Sequence, residues 1–429
     1  MRLSKLIVLA TVLLLACNIF AQAQQLTPVQ KLAAQAQLLN RALPLMPTAP
    51  PGFFRSHLWV GQALPGTAQL YTPPSSCNKI TNGHYLFCPP SLEIAYGTPS
   101  ILGANGGAGM TIAIVDAFHY AHVEADLNFF STDMNLPACT TGNGCFKDVD
   151  ENGGTNYCGP NSNWELETML DVEWAHAMAP NAKIVLVEGC DNSFDSLNTA
   201  ITTAITKEGA DIVSNSYGAA EFNGENAFDP VYNVNKPILF SSGDVGAEVQ
   251  YPCASPYTTC VGGTNLQVDA NFHRVNETAW SGGGGGCSAF EAIPGYQSSN
   301  GVTICSPNRA VPDVSAVADP NTGVAVYDSG NGGYFRVGGT SVACPVTAAI
   351  YADVMAARVG FGKAKFGQMD ATLYLPYKLY GKPGSNYLYF YYDVTQGSNG
   401  HQAGPGYDLA TGLGVSYGVN MANRFFGLP

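Results

Sequence analysis

Short apolar runs alternate with stretches of helical period along most of this chain. TIAIVD (111–116), AKIVLVE (182–188), ADIVSNS (210–216) and KPILFSS (236–242) are rich in β-branched residues and lack a polar face. Between them, NWELETMLDVEWAHAMA and FDSLNTAITTAITKEG repeat their apolar positions at the helical period. Continuous apolar strands separated by helices predict an α/β fold, with a mostly parallel sheet covered by helices on both faces. Ligands in such sheets bind beyond the carboxyl ends of the strands, so chemistry is expected in the segments just after these runs. A further helix is predicted within RVGGTSVACPVTAAIYADVMAAR (336–358), with Pro345 in its first turn. Ahead of residue 91 the alternation is missing: LTPVQKLAAQAQLLNRAL reads as one helix, followed by Pro-rich, loop-like sequence. The aromatic stretch 387–392 reads as part of the sheet.

The N-terminus divides the chain. MRLSKLIVLATVLLLACNIFAQAQQ has a basic start at Arg2 and Lys5, an apolar run and a small-x-small site at Ala21-Gln22-Ala23, the pattern of an export signal over residues 1–23. A second reading of the same residues, Leu14-Leu15-Ala16-Cys17, is a lipoprotein box that tethers Cys17 to lipid. Residues 24–90 then form a short pro-segment or N-terminal extension, and 91–429 the main domain. No later apolar run reads as long enough to span a bilayer, and a secreted or extracytoplasmic monomer is expected.

Composition supports export. Charged residues make up only 12% of the chain against 46% hydrophobic, with a formal net charge of −13. Nothing forms the basic stripe that a nucleic-acid partner requires. There are 12 cysteines. With Cys17 in the signal and Cys344 set in an apolar helix start, ten remain for bridges in an oxidising compartment. Pairing sequence neighbours gives Cys77–Cys88, Cys139–Cys145, Cys158–Cys190, Cys253–Cys260 and Cys287–Cys305. No C-x-x-C or Cys/His cluster points to zinc.

The predicted helix at 163–179 raises a chemical question. At about 100° per residue, Glu167 and Asp171 fall within about 40° of each other, in the stripe of Leu170, Trp174 and Met178, while His176 falls opposite. Exposure on a narrower stripe is the plain reading. If buried, two acids one turn apart cannot both ionise, and they share a proton at raised pKa. In GGTSVACP, Ser341 stands at a helix start, either as an ordinary cap or where backbone N–H groups stabilise an oxyanion. FSSGDVG (240–246) puts Asp244 in a Gly-flanked turn after a strand.

Glu-x-x-x-Asp on a helix, SSGD after a strand, GGTS-x-x-x-P at a helix start and RAVPDVSAVADPNTGVAVYD occur in this order. With TIAIVDAF, DVEWAHAMAP, TAWSGGGGG and the C-terminal DVTQGSNG…GYDLATGLG, they resemble the sedolisin, or serine-carboxyl peptidase, family over roughly residues 85–425. The resemblance implies a subtilisin-like three-layer fold and a secreted, acid-active serine-carboxyl endopeptidase acting on peptides or unfolded proteins through an acyl-enzyme. It implies Ser341 as nucleophile, Glu167 as general base, Asp171 as the orienting acid and Asp244 as the oxyanion stabiliser. Asp116 matches a position that extends the relay in some members, though a strand-end turn residue reads the same way. Tyr217, in the substrate-flanking VSNSYG, stands where relatives often have tryptophan.

DVTQGSNGHQAGPGYD (393–408) resembles the family's loop for one structural Ca²⁺, held by Asp393 and Asp408 carboxylates and the carbonyls of Val394, Gly404 and Gly406. By contrast, DVDENGG (148–154) starts like an EF-hand but has Gly159 in the twelfth position, where that loop needs glutamate. Three other readings stay open: a catalytically silent secreted peptide-binding relative, an Asp–His–Ser subtilase, and an adhesive protein. Intact Ser341, Glu167, Asp171 and Asp244 disfavour the first, and the lack of a His-Gly-Thr motif the second.

Overall fold

The computed structural model describes residues 27–39, 42–46, 48–63, 77–78, 80–81, 84–98 and 106–425. The signal, with Cys17, lies outside them. Along the chain come α1 (Pro28–Leu39), β1 (Leu43–Pro44), β2 (Arg55–Ser56), β3 (Trp59–Ala63), β4 (Ile80–Thr81), β5 (His84–Phe87) and α2 (Pro89–Tyr96). The expected alternation follows, with β6 (Thr111–Ala117), α3 (Val123–Asp133), β7 (Phe146–Asp150), α4 (Ser162–Met178), β8 (Lys183–Gly189), α5 (Phe194–Thr206), β9 (Ile212–Asn215), β10 (Tyr217–Ala220) and β11 (Ile238–Ser241). Next are β12 (Gln250–Tyr251), β13 (Thr259–Val268), β14 (Arg274–Ala279), β15 (Gly286–Ala292), β16 (Asn308–Val311), β17 (Val314–Val317), β18 (Thr322–Asp328) and β19 (Gly333–Gly338). The chain closes with α6 (Thr340–Gly360), β20 (Tyr391–Tyr392), β21 (Val415–Ser416) and α7 (Gly418–Phe425).

The central sheet runs β20-β21-β17-β13-β11-β9-β6-β8-β7, parallel from β21 to β7, with β14 added antiparallel to β13. Its strands alternate between two cores, which explains their unbroken apolar runs. Ile112 and Ile114 of β6 face the side of α4 and α6, and Ala113 and Val115 face the side of α5. This is a subtilisin-like α/β arrangement of three layers: the strand–helix pattern predicts the α/β alternation, and the family resemblance implies the subtilisin-like form.

Two expectations need correction. The stretch after α1 is not loop-like. It joins a six-stranded sheet in the order β1-β3-β19-β18-β5-β4, sharing strands with residues 322–338. Its Pro-rich stretches had hidden short strands that only a distant partner stabilises. Second, α6 is long and apolar enough by composition to cross a membrane, yet it is the buried central helix of this core. The cysteines pair as expected, in five disulfides with Cys344 left as a buried thiol.

Candidate active site

Helix α4 lies between the central sheet and the second sheet, so from Leu166 to Met178 it is buried on all sides. Asn161 caps its start by accepting the Asn163 amide. Glu167, Asp171, Glu173 and His176 all have no exposed surface. A single apolar stripe was therefore too narrow a picture. The side opposite the acids is buried as well, with His176 Nε2 2.8 Å from the Pro137 carbonyl and Glu173 accepting the Tyr327 amide at 3.0 Å.

Asp171 accepts the Ser216 hydroxyl at 2.9 Å, and its other oxygen has no partner. Neither Glu167 oxygen makes a hydrogen bond of good geometry. The hydroxyls of Ser341 and Ser56 nevertheless lie close enough to favour its charged form. Burial first, then the charge of Asp171, pushes the Glu167 carboxyl well above its ordinary range. Burial does the same to Asp171 against the pull of Ser216. At the end of β6, Asp116 has both oxygens buried and unpartnered; burial, then Asp171, Glu167 and Glu188, raise its pKa. Three acids thus form one proton-rich cluster.

Ser341 stands in the first turn of α6, where its amide is not needed by the helix. That amide donates to the His57 carbonyl at 3.1 Å, while the Ser341 hydroxyl lies 3.2 Å from the Ser216 carbonyl. Gly339 just before has φ +105°, and a Cβ there would meet the His57 carbonyl oxygen at 2.0 Å and Asp244 Oδ2 at 2.7 Å. Asp244 Oδ1 accepts the Thr340 amide and hydroxyl, each at 2.8 Å. Its Oδ2 is buried without a partner. Burial lifts the Asp244 carboxyl to about 7, against the opposing hydrogen bonds from Thr340, so it carries a proton in acid and can then donate.

The three expected acids, Glu167, Asp171 and Asp244, are therefore gathered near Ser341, and Asp116 joins Glu167 and Asp171 electrostatically. Tyr217 turns its hydroxyl to Asn215 Oδ1 at 3.0 Å. Sequence reading missed His57, Ser241, Glu248 and Gln250. The signal available for the first was Arg55-Ser56-His57, a polar cluster between Phe54 and Leu58 in a charge-poor segment. His57 is not a displaced catalytic base. Its Nδ1 lies 2.7 Å from Ser241 Oγ and its Nε2 2.7 Å from Gln250 Oε1, and burial, then the nearby Arg55 charge, lowers its pKa to about 3.

The expected cation loop lies beside β20. Asp393 accepts the Gly406 amide on both oxygens at 3.1 and 3.0 Å, and Asp408 accepts that of Gly404 at 2.9 Å. Two carboxylates thus flank one Gly-Pro-Gly turn. Among the described residues, neither has a lysine, arginine or histidine within ion-pairing distance. The EF-hand-like segment differs: Asp150 spends its oxygens on the amides of Asn152, Gly154 and Asn156.

A subtilisin-like sheet with a serine at a helix start, facing carboxylates in place of an imidazole, defines the class. The description "Subtilase family" matches residues 139–373. Kumamolisin of Bacillus sp. (strain MN-32) is 31% identical over 376 residues, covering 78% of this chain and 63% of that protein. Sedolisin of Pseudomonas sp. (strain 101) is 25% identical over 364 residues, covering 74% and 58%. In fold, the chain is similar to Pseudomonas sedolisin complexed with two molecules of pseudo-iodotyrostatin, with a TM-score of 0.69 at 23% identity over 80% of this chain and 98% of that one. The chain belongs to the subtilase family, in its sedolisin branch. It spans about three fifths of the length of the curated relatives it matches.

Proposed function

We propose that the protein is a secreted, acid-active serine-carboxyl endopeptidase. One observation carries this reading: the Ser341 amide donates to a backbone carbonyl, that of His57, where the unpartnered Asp244 oxygen borders the same space next to Gly339, and Glu167 lies beside the Ser341 hydroxyl. Glu167 takes the Ser341 proton as Oγ attacks the scissile carbonyl. Asp171, sharing a proton with Glu167, holds that carboxylate and keeps the pair from a double charge. The oxyanion is met by the Ser341 amide and by protonated Asp244. Glu167 then passes its proton to the leaving amine, and water resolves the ester by the same groups in reverse. The five disulfides fit an oxidising compartment, which supports export.

Asp393 and Asp408, with the carbonyls of Val394, Gly404 and Gly406, are the ligands we assign to one structural Ca²⁺. Hard oxygens around a flexible Gly-Pro-Gly turn suit that ion, which supplies the positive charge that the two carboxylates lack.

The test is digestion of an unfolded protein by the signal-free chain across about pH 2.5 to 8. Cleavage in acid only, reduced at least ~10³-fold in both Ser341→Ala and Glu167→Gln, supports the relay. Cleavage that survives Glu167→Gln near neutral pH places the base elsewhere. A folded chain that cuts nothing is a peptide-binding relative.

A further inference from the structure

The carboxyl ends of three neighbouring strands bring together side chains that stand outside the proposed relay. In the central sheet β8 lies between β6 and β7. Glu188 is the last residue but one of β8, and Asp148 lies in β7 opposite Leu186. Side chains two apart in a strand share a face, so buried Phe146 and Leu186 put Asp148 and Glu188 on the α4 side. His119 follows two residues after β6 and turns back over the same ends. Positions 119, 148 and 188 are too far apart to form a sequence motif, and only the sheet assembles them.

His119 Nδ1 lies 2.5 Å from Glu188 Oε2. One donor atom each from His119, Asp148 and Glu188 all fall within 4.8 Å of one another. Asp148 Oδ1 is buried without a hydrogen-bond partner. Among the described residues, neither carboxyl pairs with a lysine or arginine, and Lys147 next door is taken by Glu208. Each donor is also held from behind, as metal ligands are. The Tyr120 amide donates to Glu188 Oε1 at 3.1 Å, which leaves Oε2 for the cluster. The Tyr157 ring stacks on His119 with centroids 4.0 Å apart, and its hydroxyl donates to the Asp148 carbonyl at 3.1 Å. The Cys158–Cys190 disulfide fastens this tyrosine's segment to the end of β8. The Glu188 side chain is 2% exposed and that of His119 21%, so the cluster is open to solvent on the imidazole side.

A histidine–glutamate pair that only pinned a loop would not need a second, unpaired carboxyl beside it. We propose that His119, Asp148 and Glu188 are the ligands of a divalent transition-metal ion of the Zn²⁺ type. One imidazole and two carboxylates make a mixed donor set that such an ion accepts, with water completing the shell. An ion about 2.1 Å from each donor needs donors about 3–4 Å apart, so it replaces the His119–Glu188 hydrogen bond by opening that pair about 1 Å. The all-oxygen set assigned to Ca²⁺ around Asp393 and Asp408 is of a different kind. Cys139, Cys145 and His176 also gather, but their thiols are spent on a disulfide. The ion ties the ends of β6, β7 and β8 together, with Asp116 of the relay opposite Glu188 in register. This site stands independently of the peptidase reading.

The experiment uses the complete signal-free chain carrying Ser341→Ala, stripped with a chelator, saturated with Ca²⁺ and titrated with ZnCl₂ at about pH 7, where such ligands give up their protons to a metal. Calorimetry is expected to show one Zn²⁺ bound with Kd of about 10 µM or tighter, and Tm to rise by at least about 3 °C in excess zinc. His119→Ala and Asp148→Asn should each weaken binding at least ~10-fold, while Asp408→Asn leaves it unchanged. X-ray absorption at the zinc edge of the chain with all three ligands intact decides the question should those variants not fold. One imidazole among oxygen donors supports the site; sulfur or several imidazoles overturn it. No zinc bound at this affinity, or zinc held equally well by both ligand variants, overturns it too.

Discussion

In the proposed mechanism, one buried carboxyl, Asp244, sets a working range. Its pKa near 7 comes from burial, so its ability to donate to an oxyanion fades as pH rises through that value. Asparagine donates at every pH. We therefore expect Asp244→Asn to lose about 10²-fold in kcat/KM in acid, yet to show no fall near pH 7. A wild-type-like fall in the variant's pH–rate profile would assign that limb to another group. On the proposed mechanism, the acidic limb falls to the Glu167–Asp171 pair, which must keep one carboxylate free. At this scale the sequence was informative where a residue type breaks its surroundings, as two acids do in an apolar helix. It was silent on Gln250, because a glutamine in a loop looks the same whether it faces solvent or an imidazole.

At the scale of elements, the site depends on how helices begin. Gly339 precedes α6 at φ +105° and ψ 162°, a conformation nearly reserved for glycine. Gly339→Ala is expected to cost about 1–3 kcal/mol of stability and to abolish peptide hydrolysis, since its methyl group would occupy the carbonyl pocket. Thermal unfolding and a single-substrate rate check both halves; a variant with near-normal kcat would show that the pocket lies elsewhere. The loop after β20 offers a second check. If Asp393 and Asp408 hold Ca²⁺, chelation should lower Tm by at least about 5 °C, and Asp408→Asn should blunt the response. The parallel strands and their helices were legible because each reads locally. The strands of residues 43–87 were not, because strands of two to five residues exist only through their pairing, β3 and β5 with residues 322–338 and β2 with β10.

Across the whole molecule, buried acids outnumber buried bases in their effect on pH stability. Burial lifts Asp370 to about 7, beside Asp244 at about 7. These carboxyls ionise near pH 4 when unfolded, so between about pH 4 and 8 the native state binds more protons than the unfolded one. Their contribution is fully present below that window and is lost as pH rises. His57 runs the other way. Its depressed pKa favours the native state above about pH 6.5, and that contribution is lost as pH falls toward 3. We expect Tm of the Ser341→Ala chain to be higher at pH 5 than at pH 8 by at least about 5 °C. A Tm that rises with pH would mean these acids are ionised when folded. Acid thus supports the buried carboxyls while loosening the hold on His57.

The sequence by itself determined the alternating architecture and the disulfide partners, and its ordered motifs proposed the serine and the acids. Periodicity, short cysteine spacings and ordered motifs are all local properties of the chain. Tertiary structure alone decided that α4 has no exposed side, that the leading segment belongs to a second sheet, and that His57 faces Ser341. Each of these joins residues more than a hundred positions apart, and a buried contact between such residues leaves no periodic trace in either segment.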